Sequence, residues 1–249
     1  MEINKENETN TGIEKQNVSG EKDFAQKVIA TYQSAFLRVK KILFNTQNEF
    51  QTINRENMPY TKVLTSYVLP LTAIAAVIAF IGWGLIGYPN PVSSHYGNFI
   101  SEVASYYGNS STGYGTSSAG YGIKMAIALF VLLAGGIYLT SLIVNFISEN
   151  FGAPKNFDKA FSLVAYSCTP MMLGGIFHLI PSISWLWLLA SACSFYLLYI
   201  GLKPMMQVSE EKKMPYLAIS IGAIVVVFFI LGWLLGRLLT VSVFGNISL

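Results

Sequence analysis

The chain has 249 residues, of which 53% are hydrophobic and only 12% charged, with a formal net charge of +3. An ordinary globular domain carries about 25% charged residues, so this composition excludes an ordinary soluble domain and indicates an integral membrane protein. The positive charge is too small and too dispersed to indicate nucleic-acid binding. It clusters before an apolar segment, where anionic lipid head groups are the expected counter-charge.

The amino-terminal part of the chain is polar. Residues 1–23 are rich in Asn, Glu and Lys, have no apolar periodicity and predict a disordered tail without a cleavable signal peptide. Residues 24–62 predict short amphipathic helices on the cytoplasmic side. The first helix carries an apolar stripe flanked by basic residues: Phe24, Val28, Tyr32, Phe36, Val39 and Leu43, beside Lys27, Arg38, Lys40 and Lys41. It either folds onto the protein's own cytoplasmic face or lies in the lipid interface.

A second short helix is predicted over residues 47–56. Thr46 and Glu49 have the spacing of a capping box, which marks a helix start. The helix is expected to stop before Met58 and Pro59.

Five apolar windows follow, and each can cross a bilayer, which takes about 20 residues. They cover residues 64–86, 123–147, 161–180, 183–202 and 216–239. The third and fourth windows form one apolar stretch, which Pro181 and the serines after it divide into two helices. The predicted fold is therefore an all-α bundle of five transmembrane helices over residues 63–239. It carries a Gly/Ser/Tyr-rich external loop at 88–122 and a short external tail at 240–249.

The distribution of basic residues predicts the orientation. Nine Lys or Arg precede the first window, and further lysines lie between windows two and three and between windows four and five. The positive-inside rule therefore places the amino terminus in the cytoplasm and the carboxyl terminus outside. We expect a multi-pass protein of the cytoplasmic, or inner, membrane.

The windows offer little chemistry. None contains Asp or Glu, which argues against a carboxylate-driven transporter. His178 has two possible roles. It is a functional residue, such as a proton relay or a ligand contact, or it is a neutral imidazole bonded to a carbonyl freed near Pro181. Ser191 lacks a nucleophile-elbow pattern, and Cys168 and Cys193 lack metal-ligand spacing. We therefore expect no catalytic residue, no cofactor and no metal.

Small residues recur at helix-packing spacing in the windows. They indicate close helix contacts, either within the bundle or between two copies of the chain. These residues are Gly135, Gly136, Gly174, Gly175, Ala190, Ser194, Gly232 and Gly236.

Several segments in order resemble the Yip1-domain family, in the form common among bacterial members. The segment AYSCTP places Tyr166 and Pro170 in that family's Tyr-x-x-x-Pro positions, and GGIFHLIPSISWLW and FYLLYIGLKPMMQVSEEKKMPY follow. RVKKILFNTQNEFQTINRE and TSYVLPLTAIAAVIAFIGW are similar to the family's amino-terminal region. The resemblance covers roughly residues 35–239 and implies five membrane helices behind a cytoplasmic region. It also implies that Pro170 kinks the third span and frees a backbone carbonyl for nearby hydroxyls or water.

The resemblance implies shape more than function. Eukaryotic relatives take part in membrane traffic with prenylated GTPases, a role that does not transfer to a bacterial member. We expect a non-enzymatic interaction or membrane-organising module, whose partners are membrane lipid and either a protein or a second copy, but not nucleic acid. The alternative is a transporter, channel or lipid scramblase with a cleft near Tyr166, Ser167, Thr169 and His178.

Overall fold

A computed structural model of the protein describes residues 2–86, 119–179, 183 and 185–244. Side chains are not described for residues 2–22, 83, 86, 121, 178 and 236–244. Over these ranges the chain is helical and contains no strand. Five helices are long and apolar enough to cross a membrane: Tyr60–Phe80, Gly122–Phe151, Phe157–Phe177, Leu186–Met206 and Glu210–Leu235. The predicted all-α bundle with five apolar spans is confirmed.

Two helices precede the bundle. Helix α1 covers Glu2–Phe44 and α2 covers Thr46–Glu56. The helix thus begins within the segment for which the sequence predicts a disordered tail; Lys and Glu, which are frequent there, are good helix formers. Helix α2 starts as predicted, but not through a capping box. Its N-cap is Asn45, and the Thr46 hydroxyl donates instead to the Ile42 carbonyl at 2.6 Å.

The first span, α3, covers Tyr60–Phe80, and the π-helical Ile81–Ile86 follows it. A π-helical turn at Leu64–Val68 lies inside α3, where the Leu69 N–H bonds to the Leu64 carbonyl. Pro70 follows at once and has no N–H to donate, so the wider turn accommodates the missing bond of the ladder.

The second span, α4, covers Ala119–Ile147 and ends in the 3-10 turn Ser148–Phe151. The third span is broken into α5, Phe157–Ser167, and α6, Thr169–Gly174, with the 3-10 segment Gly175–Leu179 after it. Helices α7, Leu186–Met206, and α8, Glu210–Phe244, complete the bundle. The span ends differ from the predicted windows by a few residues, because hydropathy does not mark where a helix continues into polar sequence.

The third span lies at the centre of the bundle. In its apolar window 72% of the residues are buried, against 17–44% in the other four spans. Helix α5 packs against α4 and α7, and α4 also packs against α3 and α8. The segment with the Tyr-x-x-x-Pro pattern is therefore the one most enclosed by protein. The residues of the predicted external loop before 119 and of the tail beyond 244 lie outside the described part. The orientation and the division of the chain into segments stay predictions.

Candidate functional site

Pro170 breaks the third span and frees one carbonyl. A proline at this position cannot donate to the carbonyl four residues before it, which belongs to Tyr166. Cys168 joins α5 to α6 with φ −75° and ψ −2°. The Thr169 hydroxyl donates to the Tyr166 carbonyl at 2.7 Å. A hydroxyl one residue before the proline thus replaces the missing backbone donor. The resemblance to the family implied that a hydroxyl or water would bond to the freed carbonyl.

Tyr67 on α3 completes this arrangement from the neighbouring span. Its hydroxyl lies 2.7 Å from the Thr169 hydroxyl. Because Thr169 uses its single hydrogen for the Tyr166 carbonyl, the hydrogen between them comes from Tyr67. The Tyr67 and Tyr166 rings also pack together, with centroids 4.6 Å apart and planes tilted by 58°. We call Tyr67, Tyr166, Thr169 and Pro170 the proline joint.

Arg38 on α1 connects the proline joint to the front helices. Its guanidinium carbon lies 5.7 Å from the centroid of the Tyr166 ring, within reach of a cation–π interaction. Its Nη1 and Nη2 atoms donate to Glu49 at 2.8 Å and to Glu56 at 2.6 Å, both on α2. Burial lowers the pKa of Arg38, but the hydrogen bond to Glu56 and the nearby carboxylates outweigh it and raise that pKa. The guanidinium therefore stays charged between its two partners.

Apolar contacts dock the same two helices onto the bundle. Phe50 on α2 is fully buried, and a Cβ on Gly201 of α7 would lie 2.9 Å from its ring and 2.6 Å from Leu163. Glycine is needed there because any side chain would displace Phe50. Helix α1 buries Ala35, Val39 and Ile42. The face turned to the bundle is thus not the predicted stripe as a whole, because Val39 is its one member that is buried.

A second polar contact, directly after Pro170 in the chain, holds α6 to α7. The Met171 N–H, close to the break, donates to the Ser194 hydroxyl at 3.0 Å, and Ser194 donates to the Ala190 carbonyl at 3.3 Å. A Cβ on Gly174 would lie 2.7 Å from the Ala190 Cβ, so these two backbones approach closely. Three residues singled out for packing therefore meet at one helix crossing.

The spans also meet where α3 and α5 begin. The Tyr60 N–H donates to Asp158 Oδ1 at 2.8 Å, so a carboxylate in the first turn of α5 satisfies a free donor of α3. The Tyr60 ring packs edge-on against Phe157, with centroids 5.1 Å apart, and Tyr138 and Phe161 complete the aromatic cluster. Both helix starts are thereby fixed to each other and to α4.

Helices α4 and α8 are joined at two levels. The Tyr216 hydroxyl donates to the Val144 carbonyl at 2.8 Å, and Tyr216 stacks on Phe151 with centroids 4.9 Å apart. A Cβ on Gly136 would lie 2.6 Å from Phe228. The last span is thus held to the second.

The structure places the remaining candidates as follows. Tyr166, Ser167, Thr169 and Pro170 are all buried. The structure does not describe Pro181, the side chain of His178 or the surroundings of Gly236. No atom lies within 4 Å of a Cβ built on Gly135, Gly175 or Gly232, so these glycines make no close approach within the described residues.

Sequence reasoning missed the partners of the proline joint. In the sequence Arg38 is one of several basic residues beside the apolar stripe, and nothing there assigns Tyr67, Glu49 or Glu56 to this role. A signal was present for Arg38, because it lies three residues after Ala35 and four before Ile42, on the face that α1 buries. The pairing with Glu49 and Glu56 had no such signal.

Comparisons with known proteins agree with this architecture. The family model described as Yip1 domain matches residues 40–234. The inner membrane protein YohC of Escherichia coli strain K12 is 24% identical over 183 residues, covering 71% of this chain and 84% of that protein. The protein of the same name from Escherichia coli O6:H1 matches to the same extent. No solved structure matches the chain significantly.

Proposed function

Because the chain belongs to the Yip1 domain family, we propose that it is a non-enzymatic interaction module of the bacterial inner membrane. In this proposal the five-span bundle holds α1 and α2 rigidly at the cytoplasmic surface, where α2 meets a protein partner. The inner-membrane location rests on the five apolar spans and on the relative named as an inner membrane protein.

One observation carries the proposal: the polar side chains of the proline joint are enclosed, and the hydroxyls of Tyr67 and Thr169 are already paired. Tyr166 is 3% exposed and Thr169 is not exposed at all. The hydroxyls of Thr169 and Tyr67 are used on each other and on the Tyr166 carbonyl. A cargo site needs polar groups that a solute can reach, whereas these groups hold helices together. Their arrangement favours a structural joint over a transport cleft.

The surface that such a joint would support is the outer side of α2. Phe50 and Ile53 point into the bundle, whereas Gln51, Thr52 and Arg55 are exposed. With Arg38 paired to both ends of α2, this helix is fixed relative to the spans. A rigid polar surface of this kind suits a protein partner, because little conformational entropy is lost when it binds.

Photo-crosslinking in cells tests the proposal. A photoreactive amino acid placed at Thr52 should give a protein adduct of discrete size, whereas the same residue at the buried position of Ile53 should not. The Thr52 adduct should weaken when Arg38→Met loosens α2. If illumination yields no protein adduct at Thr52, Gln51 or Arg55, the interaction role loses its support.

Reconstitution tests the transport alternative. Proteoliposomes are assayed with a fluorescent phosphatidylcholine analogue for scrambling and with a small neutral dye for leakage. We expect rates equal to those of protein-free vesicles. Saturable flux that Thr169→Val abolishes would show that the proline joint lies on a transport path and would overturn the proposed function.

A further inference from the structure

Helix α1 has a second apolar face that the described part of the chain leaves uncovered. At about 100° per residue, Ile29, Tyr32, Phe36 and Leu43 fall within about 60° of one another, and their centre lies about 80° from the buried face of α1. Ile29 is 56% exposed and Phe36 is 70% exposed. We call these four residues the second face of α1. We propose that the second face lies in the headgroup region of the cytoplasmic leaflet and binds anionic phospholipid there.

The position of α1 along the first span sets its depth. Helix α1 packs against Leu64–Val68 and against the part of α3 that follows. Lys62, which is exposed, marks the polar beginning of this span. Val68 is six residues further on, or about 9 Å at 1.5 Å per residue. Interfacial helices lie about 5–10 Å into the boundary between head groups and acyl chains. The part of α1 that contacts this turn is thus at the level of that boundary and not above the membrane.

The charges in residues 24–44 of α1 favour anionic lipid over a second copy of the chain. From residue 24 to residue 44 the helix has no acidic residue, and its cations are Lys27, Arg38, Lys40 and Lys41. Glu49 and Glu56 neutralise Arg38, whereas Lys40 and Lys41 are exposed. Lys40 borders the second face, where its ammonium can reach a phosphate while its stem lies along apolar surface.

A second copy of the chain fits this face less well. Packing two second faces together would place Lys40 of each copy at the edge of an apolar contact without a counter-charge, because α1 has no acidic residue from 24 to 44. The inference goes beyond the proposed function, because the protein partner there meets α2.

Nitroxide accessibility on the full chain in vesicles of phosphatidylethanolamine and phosphatidylglycerol tests the inference. With both native cysteines replaced by alanine, Phe36→Cys and Ser34→Cys place a spin label on the second face and on the opposite, exposed face of α1. We expect the label at 36 to collide several-fold more with oxygen than with an aqueous nickel chelate, relative to the label at 34. Ile29→Cys repeats the measurement at an independent position.

The remaining outcomes are decisive. Equal accessibility at 36 and 34 would overturn the inference, and so would short-range dipolar coupling between labels at 36, which would assign the face to a second copy. Replacing phosphatidylglycerol by phosphatidylcholine, or changing Lys40→Gln and Lys41→Gln together, should lower the lipid exposure at 36. No change in either case would contradict the role of anionic lipid. Since no protein partner enters these measurements, a missing adduct at Thr52 would leave the lipid inference standing.

Discussion

The hydroxyls of Tyr67 and Thr169 lie 2.7 Å apart, buried between the first and third spans. Thr169 in turn supplies the hydrogen bond that Pro170 removes from the Tyr166 carbonyl. One threonine therefore satisfies the backbone break and holds a second helix against it. This double use explains how a proline can lie in the most enclosed span without leaving a bare carbonyl in an apolar medium.

Removing the Thr169 hydroxyl should destabilise the protein. Thr169→Val keeps the volume but leaves the Tyr166 carbonyl without a donor and the Tyr67 hydroxyl without an acceptor, at a cost of about 1–3 kcal/mol. Thermal unfolding in detergent measures the loss. Thr65→Val is the matched control, because the Thr65 hydroxyl bonds to its own helix at an exposed position, so its effect should stay within about 0.5 kcal/mol.

A double-mutant cycle isolates the bond between the two spans. Tyr67→Phe and Thr169→Val should couple by about 0.5–1.7 kcal/mol, the range of measured interhelical bonds in membranes. Strict additivity of the two changes would contradict the hydrogen bond between Tyr67 and Thr169.

Arg38 should control how firmly the front helices are attached. Arg38→Met retains most of the stem but leaves Glu49, whose side chain is only 8% exposed, without its counter-charge. We expect chymotrypsin to cleave after Phe44 several-fold faster, because α1 and α2 then separate more often from the bundle. Arg55→Met removes an exposed arginine of α2 and should leave the cleavage rate unchanged. Equal rates for the two variants would mean that the ion pairs do not hold the helices.

Adjacent glycines give a sharp test of the contact between α6 and α7. Gly174→Ala would place its methyl group 2.7 Å from the Ala190 Cβ, which cannot rotate away, so the helices must separate at a cost of about 1–3 kcal/mol. Gly175→Ala meets no atom within 4 Å and should be neutral or stabilise by up to about 1 kcal/mol. Melting temperatures that coincide for the two variants would rule out this close approach.

Phe50 should be the main apolar anchor of α2. Phe50→Ala opens a cavity beside Leu163 and Gly201 and should cost about 3–5 kcal/mol. Phe44→Ala serves as the control, because Phe44 is 83% exposed and its loss should change stability by less than about 0.5 kcal/mol. Both are measured by denaturation in detergent. A small effect of Phe50→Ala would contradict its role as the main apolar anchor of α2.

Much of the architecture could be predicted from local sequence. Hydropathy is a sum over neighbouring residues, so five apolar spans follow from the local sequence, and the break at Pro170 follows from the missing N–H of one residue. Small residues at packing spacing marked Gly174 and Ala190 as contact points but did not show that they meet each other, and the same pattern at Gly232 produces no contact within the described chain.

The front helices show where local sequence was insufficient. Helix α1 is apolar on two adjoining faces, and only packing decides that Ala35, Val39 and Ile42 turn inward while Phe36 stays exposed. The partners of the proline joint likewise come from distant parts of the chain: Arg38 reaches Tyr166, and Tyr67 reaches Thr169. Periodicity tells which residues share a helix face, but it carries no information on which face of another helix lies opposite. Which helix faces meet depends on how all the spans pack together, so only the tertiary structure decided these contacts.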